Sequence, residues 1–239
     1  MTIFYKNQFK RILNLLPPQF ICWLEFNRQS LTHFNERAIE YAFVFRCLQS
    51  LYPQKILDVG AGTTALPHLM STCGCHVTAT DNKKDYWPSG TYNRHFHVKN
   101  DDIADSKLTE KFDLITCISV LEHIQNHDDA MHNIFNLLNP QGHLILTFPY
   151  SENKYINNVY KLAGSNALGK KISYITQSFS KNELTNWLQN NHGKIIEQEY
   201  WQCWSGDYWT LGDQKIPPLK VSFEQKHQLT LLLIQKVSS

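Results

Sequence analysis

The chain has 239 residues, a formal net charge of +2 and no run of basic residues longer than a pair such as Lys170-Lys171. This length fits one domain with an ordinary core, and the nearly neutral charge gives no electrostatic signature of nucleic-acid binding. No stretch approaches the ~20 apolar residues that a membrane-spanning helix needs. We therefore expect a cytoplasmic protein that binds neither membranes nor nucleic acid. The six cysteines show no C-x-x-C pairing, which favours reduced core thiols over disulfides or a metal site.

The chain divides into a short arm and one larger domain. Residues 1–34 predict a helical N-terminal arm that a pair of prolines interrupts, and no residue in it suggests a chemical role. Residues 35–239 predict one α/β domain, which begins with a helix. Arg37 and Tyr41 lie one helical turn apart, so they share one face of that helix. That face either borders the functional site or is solvated.

A glycine-rich turn follows the first strand of this domain. The apolar stretch from Ile56 to Val59 ends in Gly60-Ala61-Gly62, and a helical pattern begins soon after it. A strand, a tight turn and a helix N-terminus together form a place where backbone N–H groups face a polar ligand. The next apolar stretch ends at Asp81, where a carboxylate is placed to accept hydrogen bonds from a ribose diol. The pattern predicts a nucleoside-cofactor site.

Asp58 distinguishes this site from a dinucleotide site, although the turn also fits the pattern G-x-G-x-x-G/A. In a dinucleotide fold this position is normally apolar, because a carboxylate there would repel the pyrophosphate. A carboxylate suits a ligand with cationic groups, such as the ammonium and sulfonium of S-adenosyl-L-methionine. The stretch resembles motif I of the class I S-adenosylmethionine-dependent methyltransferases, with Thr64 where that family usually has a third glycine.

The resemblance implies S-adenosyl-L-methionine as cofactor and a set of residues that bind it. They are Asp58, Gly60, Ala61 and Gly62 for the methionine part, Asp81 and Asn82 for the ribose, Asp102 and Ile103 for the adenine, and the backbone carbonyl of Ile118 for the methionine ammonium.

The fourth-strand region extends the resemblance and supplies the catalytic candidates. Phe112-Asp113 before an apolar run, and Leu121-Glu122-His123 after it, are similar to the family's motif at this strand. Glu122 and His123 are expected beside the acceptor. His123 titrates near neutrality and either acts as a general base or only shapes the pocket, since methyl transfer from a sulfonium depends more on proximity and alignment than on proton transfer. Tyr150, after the fifth strand, is the second candidate.

Three other segments bear on the site. The insertions at about 151–179 and 204–225 lie on the acceptor side, where long loops commonly carry specificity. The tryptophans and tyrosine near 201–209 either stack on the acceptor or form a satellite core. Residues 83–93 replace the expected second helix with an aromatic segment in which Tyr86 or Trp87 would border the adenosine pocket.

The histidine pattern does not predict a metal site. His95 and His97 are two residues apart, so on the predicted third strand they would share a face. No third ligand accompanies them convincingly, and we therefore expect no metal.

The predicted fold is α/β: a doubly wound, mostly parallel seven-stranded sheet with an antiparallel last strand, the Rossmann-like class I methyltransferase fold. No crossover helix separates the last two predicted strands, so they should pair antiparallel. The strands are predicted at 55–59, 76–80, 94–98, 113–118, 143–148, 194–203 and 227–236.

The predicted reaction is transfer of a methyl group from S-adenosylmethionine to an oxygen or nitrogen of a small-molecule acceptor, such as a sugar, a glycan precursor or a secondary metabolite. The end of strand four reads Ser119-Val120-Leu121-Glu122. It lacks the Asn/Asp-Pro-Pro-aromatic clamp of nucleic-acid amino methyltransferases. Two alternatives stay open. One is an NAD-dependent oxidoreductase or nucleotide-sugar enzyme on a Rossmann fold, and the other is a non-catalytic S-adenosylmethionine-binding module.

Overall fold

The computed structural model describes most of the chain. The described residues are Phe20, Trp23, Phe26, Asn27, 35–82, 93–170, 172 and 174–237. The predicted arm, residues 1–34, lies almost wholly outside them, and so do Tyr86 and Trp87. Among the helices in these ranges, none is long and apolar enough to cross a lipid bilayer.

Helices and strands alternate along most of the described chain, and three strands follow one another at its carboxyl-terminal end. In chain order the elements are α1 (Arg37–Leu51), β1 (Lys55–Val59), α2 (Leu66–Thr72), β2 (His76–Asp81), β3 (Val98–Asn100), β4 (Phe112–Ile118), α3 (His127–Leu137), β5 (Leu138–Pro149), α4 (Lys181–Asn190), β6 (Gly193–Trp204), β7 (Gln214–Val221) and β8 (Leu229–Lys236).

The strands form one mixed sheet in the order β3-β2-β1-β4-β5-β8-β6-β7. Pairing is parallel from β3 to β5 and antiparallel from β5 through β8 and β6 to β7. The predicted fold class is confirmed, and so is the antiparallel pairing of the last two predicted strands. The chain moves outward from β1 to β3 and then returns to place β4 on the other side of β1. Ligands of such sheets bind outside the carboxyl ends of the strands at this reversal.

Two apolar layers cover the two faces of the sheet. On one face, residues of α1 and α2 such as Phe43 and Met70 pack with Ile56 of the central strand. On the other face, residues of α3 and α4 such as Phe135 and Trp187 form a second cluster. After the exposed Lys55, β1 is buried, and its residues are apolar except for Asp58, as expected for a central parallel strand.

The sheet departs from the prediction at three strands. The strand β5 begins at Leu138 rather than at residue 143. The sheet also has an eighth strand, β7, inside the predicted insertion 204–225, and this strand contains Pro217 and Pro218. β7 lies at the edge of the sheet, where missing N–H donors are tolerated. The third strand is Val98–Asn100 rather than 94–98. The Asn93 side chain accepts the N–H groups of His95 and Phe96 at 2.8 and 2.9 Å, which fixes a turn there, so His95 and His97 do not lie on a strand.

Helix α4 begins with a capping box at Ser180. The Ser180 hydroxyl accepts the Asn182 N–H at 3.3 Å, and the Glu183 carboxylate accepts the Ser180 N–H at 2.8 Å. We expect Ser180→Ala to lower the free energy of unfolding by about 1 kcal/mol, measured by urea denaturation. Thr185→Ala in the same helix, which removes an exposed hydroxyl bonded to a carbonyl of the preceding turn, is the control. Equal losses in the two variants would contradict the capping role.

Candidate active site

A cavity of about 890 Å³ opens at the carboxyl ends of β1, β2 and β4. Its volume lies within the range of roughly 300–1,000 Å³ that is usual for small-molecule sites. The cavity therefore lies at the sheet reversal, where the sequence placed the functional site. Of the predicted site residues, those that line it are Gly60, Gly62, Asp81, Asn82, Asp102, Ile103 and His123.

The glycine turn after β1 forms one wall. Gly60 and Gly62 have φ angles of +68° and +53°, in the left-handed region where residues with a Cβ are disfavoured. A Cβ on Gly60 would lie 2.4 Å from both methyl carbons of Val120. Ala61 is buried and its N–H donates to the Thr80 carbonyl at 3.0 Å. Ala61 thus anchors the turn to β2 and does not line the cavity.

The acids that follow β2 and β3 are held by specific hydrogen bonds. The Asp81 carboxylate accepts the Gly62 N–H at 2.8 Å, which ties the end of β2 to the glycine turn. The Asn82 amide donates to Asp102 Oδ2 at 3.0 Å, and Asp102 Oδ1 accepts the Ala104 N–H at 3.0 Å. The predicted ribose and adenine residues therefore adjoin one another at one end of the cavity.

The Asp58 side chain does not reach the cavity, although the sequence predicted that it binds the methionine part of the cofactor. The side chain is buried and does not line the cavity. Oδ1 accepts a hydrogen bond from the Thr116 hydroxyl at 2.6 Å, and Oδ2 is buried with no hydrogen-bond partner among the described residues. Burial raises the pKa of Asp58 to about 7, against the opposing effects of Thr116 and Arg37. Direct contact between Asp58 and a ligand does not fit this placement, because the side chain is buried, lies outside the lining of the cavity and is hydrogen-bonded to Thr116 of β4.

The Ile118 carbonyl already has a donor within the protein. Arg37 of α1 donates to it at 3.2 Å and forms an ion pair with Glu40 at 2.8 Å. Glu40 is fully buried, and its other oxygen accepts the hydroxyls of Ser119 and Thr147, both at 2.6 Å. The Ile118 side chain does not line the cavity. Its predicted role in binding an ammonium would require the carbonyl to accept from Arg37 and from the ligand together.

The sequence analysis did not predict the ion pair between Arg37, which lines the cavity, and the buried Glu40. Their i, i+3 spacing on α1 predicts an ion pair. Nothing in the sequence shows that α1 lays this pair against the end of β4.

His123 and Glu122 lie together on a short 3₁₀ turn after β4, and both line the cavity. His123 Nδ1 is 2.7 Å from the Ile175 carbonyl. Since a carbonyl oxygen only accepts, Nδ1 carries the proton, and Nε2 is the basic nitrogen of the neutral ring. Nε2 is 3.9 Å from Glu122 Oε1. Burial lowers the pKa of His123, and the bond to Ile175 opposes that shift. The ring is therefore neutral at neutral pH.

Tyr150 does not lie in the cavity. It is 2% exposed, and its ring stacks on His227 with centroids 5.8 Å apart. Its N–H donates to the Gln228 carbonyl, so the segment before β8 covers the end of β5. Burial raises the pKa of the Tyr150 hydroxyl above its usual value. The predicted contact between Tyr150 and the acceptor does not fit this arrangement.

Both predicted insertions contribute to the cavity wall. Residues 151–179 supply Tyr160 and Tyr174, and residues 204–225 supply Trp209. The Tyr174 ring meets His123 edge-on, with centroids 4.7 Å apart. Trp209 packs against Trp204 at 6.1 Å and also contacts the core layer of α1. Trp209 therefore packs against a main core layer and also borders the cavity, and stacking on an acceptor stays a prediction.

Within the described ranges, no three histidine, cysteine, aspartate or glutamate side chains are arranged to hold a metal ion.

Comparisons with known proteins agree with this architecture. A family model described as a methyltransferase domain matches residues 12–198, most of the chain. The mitochondrial ubiquinone biosynthesis O-methyltransferase of Schizosaccharomyces pombe is 30% identical over 112 residues, covering 44% of this chain and 41% of that protein. The ubiquinone biosynthesis O-methyltransferase of Alkalilimnicola ehrlichii is 30% identical over 113 residues, covering 44% and 45%. The chain thus spans less than half the length of these two relatives.

Solved structures of low sequence identity share the fold. The 1,6-didemethyltoxoflavin-N1-methyltransferase of Burkholderia thailandensis has a TM-score of 0.56 at 15% identity, covering 92% of this chain and 86% of that one. The N-methyltransferase NodS of Bradyrhizobium japonicum has a TM-score of 0.52 at 16% identity, covering 85% and 88%. With the glycine turn, the acids at the strand ends and the matching family model, the chain belongs to the methyltransferase domain family and has the fold of the class I S-adenosylmethionine-dependent methyltransferases.

Proposed function

We propose that this protein transfers the methyl group of S-adenosylmethionine to an oxygen or nitrogen atom of a small-molecule acceptor. The observation that carries the proposal is one continuous cavity with two chemically different ends. One end has the glycine turn, Asp81 and Asp102, and the other has Glu122 and His123. The names of the relatives support this proposal, since they include O-methyltransferases of ubiquinone biosynthesis and an N1-methyltransferase crystallised with 1,6-didemethyltoxoflavin and S-adenosylhomocysteine.

The residues at the first end fit a nucleoside with hydrogen-bond donors better than a pyrophosphate. Carboxylates such as Asp81 and Asp102 accept hydrogen bonds from hydroxyl and amino groups, and they repel phosphate. The absence of a side chain at Gly60 lets the turn lie against Val120. We propose that Asp81 and Asn82 bind the ribose, that Asp102 and the Ile103 backbone bind the adenine, and that Gly60 and Gly62 face the methionine part.

The second end orients the acceptor. The bound cofactor supplies an electrophilic methyl group, and the protein's task is to hold the nucleophile in line with it and to exclude water. We propose that His123 Nε2 accepts a proton from the acceptor. The lowered pKa suits this role, because the ring keeps its lone pair at neutral pH. Acceptor selection by residues 151–179 and 204–225, and a cytoplasmic location, stay predictions.

The protonation state of His123 can be measured without knowing the acceptor. In an NMR titration we expect its ring signals to move with a midpoint below the usual value of about 6.5, and to show the Nδ1–H tautomer at neutral pH. The His123→Asn variant, which loses these signals, provides the assignment. Because the His123 pKa is lower in the folded than in the unfolded state, protonation of His123 destabilises the fold. The free energy of unfolding is therefore highest above the unfolded-state pKa and declines as pH falls through the folded-state pKa. A midpoint above 6.5, or the Nε2–H tautomer, would contradict the assignment.

Calorimetric titration tests the proposed function against its two alternatives. We expect the protein to bind S-adenosylhomocysteine and to gain no thermal stability from NAD or NADH. Stabilisation by NAD or NADH alone would favour the oxidoreductase. Binding of S-adenosylmethionine that yields no S-adenosylhomocysteine with any acceptor would favour the non-catalytic module.

A further inference from the structure

We infer that the acceptor is an amine that is positively charged in solution, and that the Glu122 carboxyl group binds its nitrogen. This inference rests on the proposed function and names the acceptor class for the same cavity.

The first observation is a carboxyl oxygen that faces no donor. Glu122 lines the cavity although it is only 3% exposed. Its Oε2 atom is buried and has no hydrogen-bond partner among the described residues, and Oε1 is 3.9 Å from His123 Nε2. A buried carboxyl oxygen without a hydrogen-bond partner is costly, whether the group is ionised or protonated. A ligand that brings an N–H group into the cavity would remove that cost.

The second observation is the charge balance at this end of the cavity. Glu36 and Glu122 both line it, and Arg37 is the one lysine or arginine among the described lining residues. The Arg37 guanidinium is paired with the fully buried Glu40. The positive charge of Arg37 is therefore balanced within the protein, and the pair attracts an anion only weakly. Burial raises the pKa of both Glu36 and Glu122. A cation beside these carboxyl groups would favour their ionisation, whereas an anion would oppose it, so this end of the cavity fits a cationic acceptor better than an anionic one.

The third observation is a group of aromatic rings that line the same cavity as these acids. Tyr160, Tyr174 and Trp209 line the same cavity, and the rings of Tyr160 and Tyr174 meet at 67° with centroids 6.2 Å apart. The faces of such rings attract cations. Carboxyl groups together with aromatic rings are a combination that suits an ammonium group.

His123 and the bound cofactor supply the proton acceptor and the electron acceptor that this reaction needs. The ammonium loses one proton to His123 Nε2, and the nitrogen lone pair then forms the new N–C bond. The C–S bond breaks, and its electron pair stays on sulfur as a neutral thioether. The product is a methylated ammonium, which again carries one positive charge, and His123 releases its proton to solvent.

The protonation of Glu122 offers a specific signature of amine binding. Burial raises the pKa of Glu122 well above its usual value, and Glu40 and Glu36 add to this effect while Arg37 opposes it. An ammonium beside the carboxyl group would lower that pKa again. Binding of the amine should therefore release a proton from Glu122, which a purely structural role of this residue would not produce.

The test uses three compounds with the same ring and chain length: 2-phenylethylamine, 2-phenylethanol and phenylacetate. Each is titrated calorimetrically into the protein saturated with S-adenosylhomocysteine, in buffers of different ionisation enthalpy. We expect the amine to bind at least about tenfold more tightly than the alcohol, with proton release, and phenylacetate to bind least. In Glu122→Gln the preference for the amine and the proton release should both be lost. Glu110→Gln, at an exposed glutamate paired with Lys55, should behave as wild type.

The outcomes separate this inference from the proposed function. If S-adenosylhomocysteine binds but the amine is not preferred over the alcohol, or Glu122→Gln leaves the preference intact, the amine inference is wrong and the methyltransferase proposal stands. If S-adenosylhomocysteine itself does not bind to the wild type, the proposed function fails first. Retained binding of S-adenosylhomocysteine by Glu122→Gln shows that the variant is folded.

Discussion

Replacing Gly60 by alanine is expected to destabilise the protein by about 2–5 kcal/mol and to abolish detectable binding of S-adenosylhomocysteine. Two causes add together. The left-handed backbone, with φ of +68°, costs about 1–2 kcal/mol for a residue with a Cβ, and the new methyl group would lie 2.4 Å from the Val120 methyl carbons, a conflict worth about 1–3 kcal/mol. Urea denaturation and calorimetric titration measure the two effects.

The chain offers a control for each cause. Gly74 has φ of +93° and open space around its missing Cβ, so Gly74→Ala reports the backbone cost alone and should leave ligand binding intact. Val120→Ala removes the conflicting methyl groups, so the Gly60→Ala/Val120→Ala double variant should recover part of the lost stability. If Gly60→Ala and Gly74→Ala show the same loss of stability and the same affinity for S-adenosylhomocysteine, the close contact between the turn and Val120 is not needed for binding.

The Asp81→Asn variant is expected to bind S-adenosylhomocysteine at least about tenfold more weakly than wild type. Asp81 lines the cavity and also accepts the Gly62 N–H at 2.8 Å. Losing its charge therefore weakens both the proposed bond to the ribose and the bond that fixes the turn. Hydrogen bonds to charged groups are worth about 1.5–3 kcal/mol, which corresponds to about tenfold or more in affinity.

Asp113→Asn is the matched control for this variant. Asp113 also accepts backbone N–H groups, from Gln54 and Lys55 at 3.1 and 2.9 Å, but it lies at the amino end of β4 and does not line the cavity. It should lower stability without lowering ligand affinity. An Asp81→Asn variant that binds as tightly as wild type would refute the assignment of the ribose site.

The strands β1, β2 and β4 were predictable because most of their residues are buried. Such strands read as apolar runs between turn residues, and β1, β2 and β4 stand out in this way. β7 was missed because Pro217 and Pro218 carry the sequence signal of a break, and only the tertiary position at the sheet edge makes them acceptable. The start of β3 was misplaced because the side chain of Asn93 competes for backbone donors, which residue patterning does not show.

The sequence predicted which residues lie at the strand ends near the site, but not which of their side chains face the cavity. Asp81 ends β2 and Asp102 follows β3, and the carboxyl ends of parallel strands meet at one edge, so both line the cavity. Asp58 and Tyr150 also lie near strand ends, yet their side chains are covered by Thr116 and by the segment before β8. Whether such a side chain faces a cavity depends on neighbours distant in the sequence. The same limit applies to Arg37, which reaches the Ile118 carbonyl from another element.

The position of β8 has a consequence for the order in which the protein can assemble during translation. β8 lies between β5 and β6 and pairs with both, although about 80 residues separate its start from the end of β5. A nascent chain therefore carries β5 with one open edge, including the apolar residues Leu144, Leu146 and Phe148, until residues 229–236 have left the ribosome. Open apolar edges are sites of aggregation. This edge of the parallel half therefore stays unpaired while residues 150–228 are synthesised, and it is covered only when β8 pairs with it.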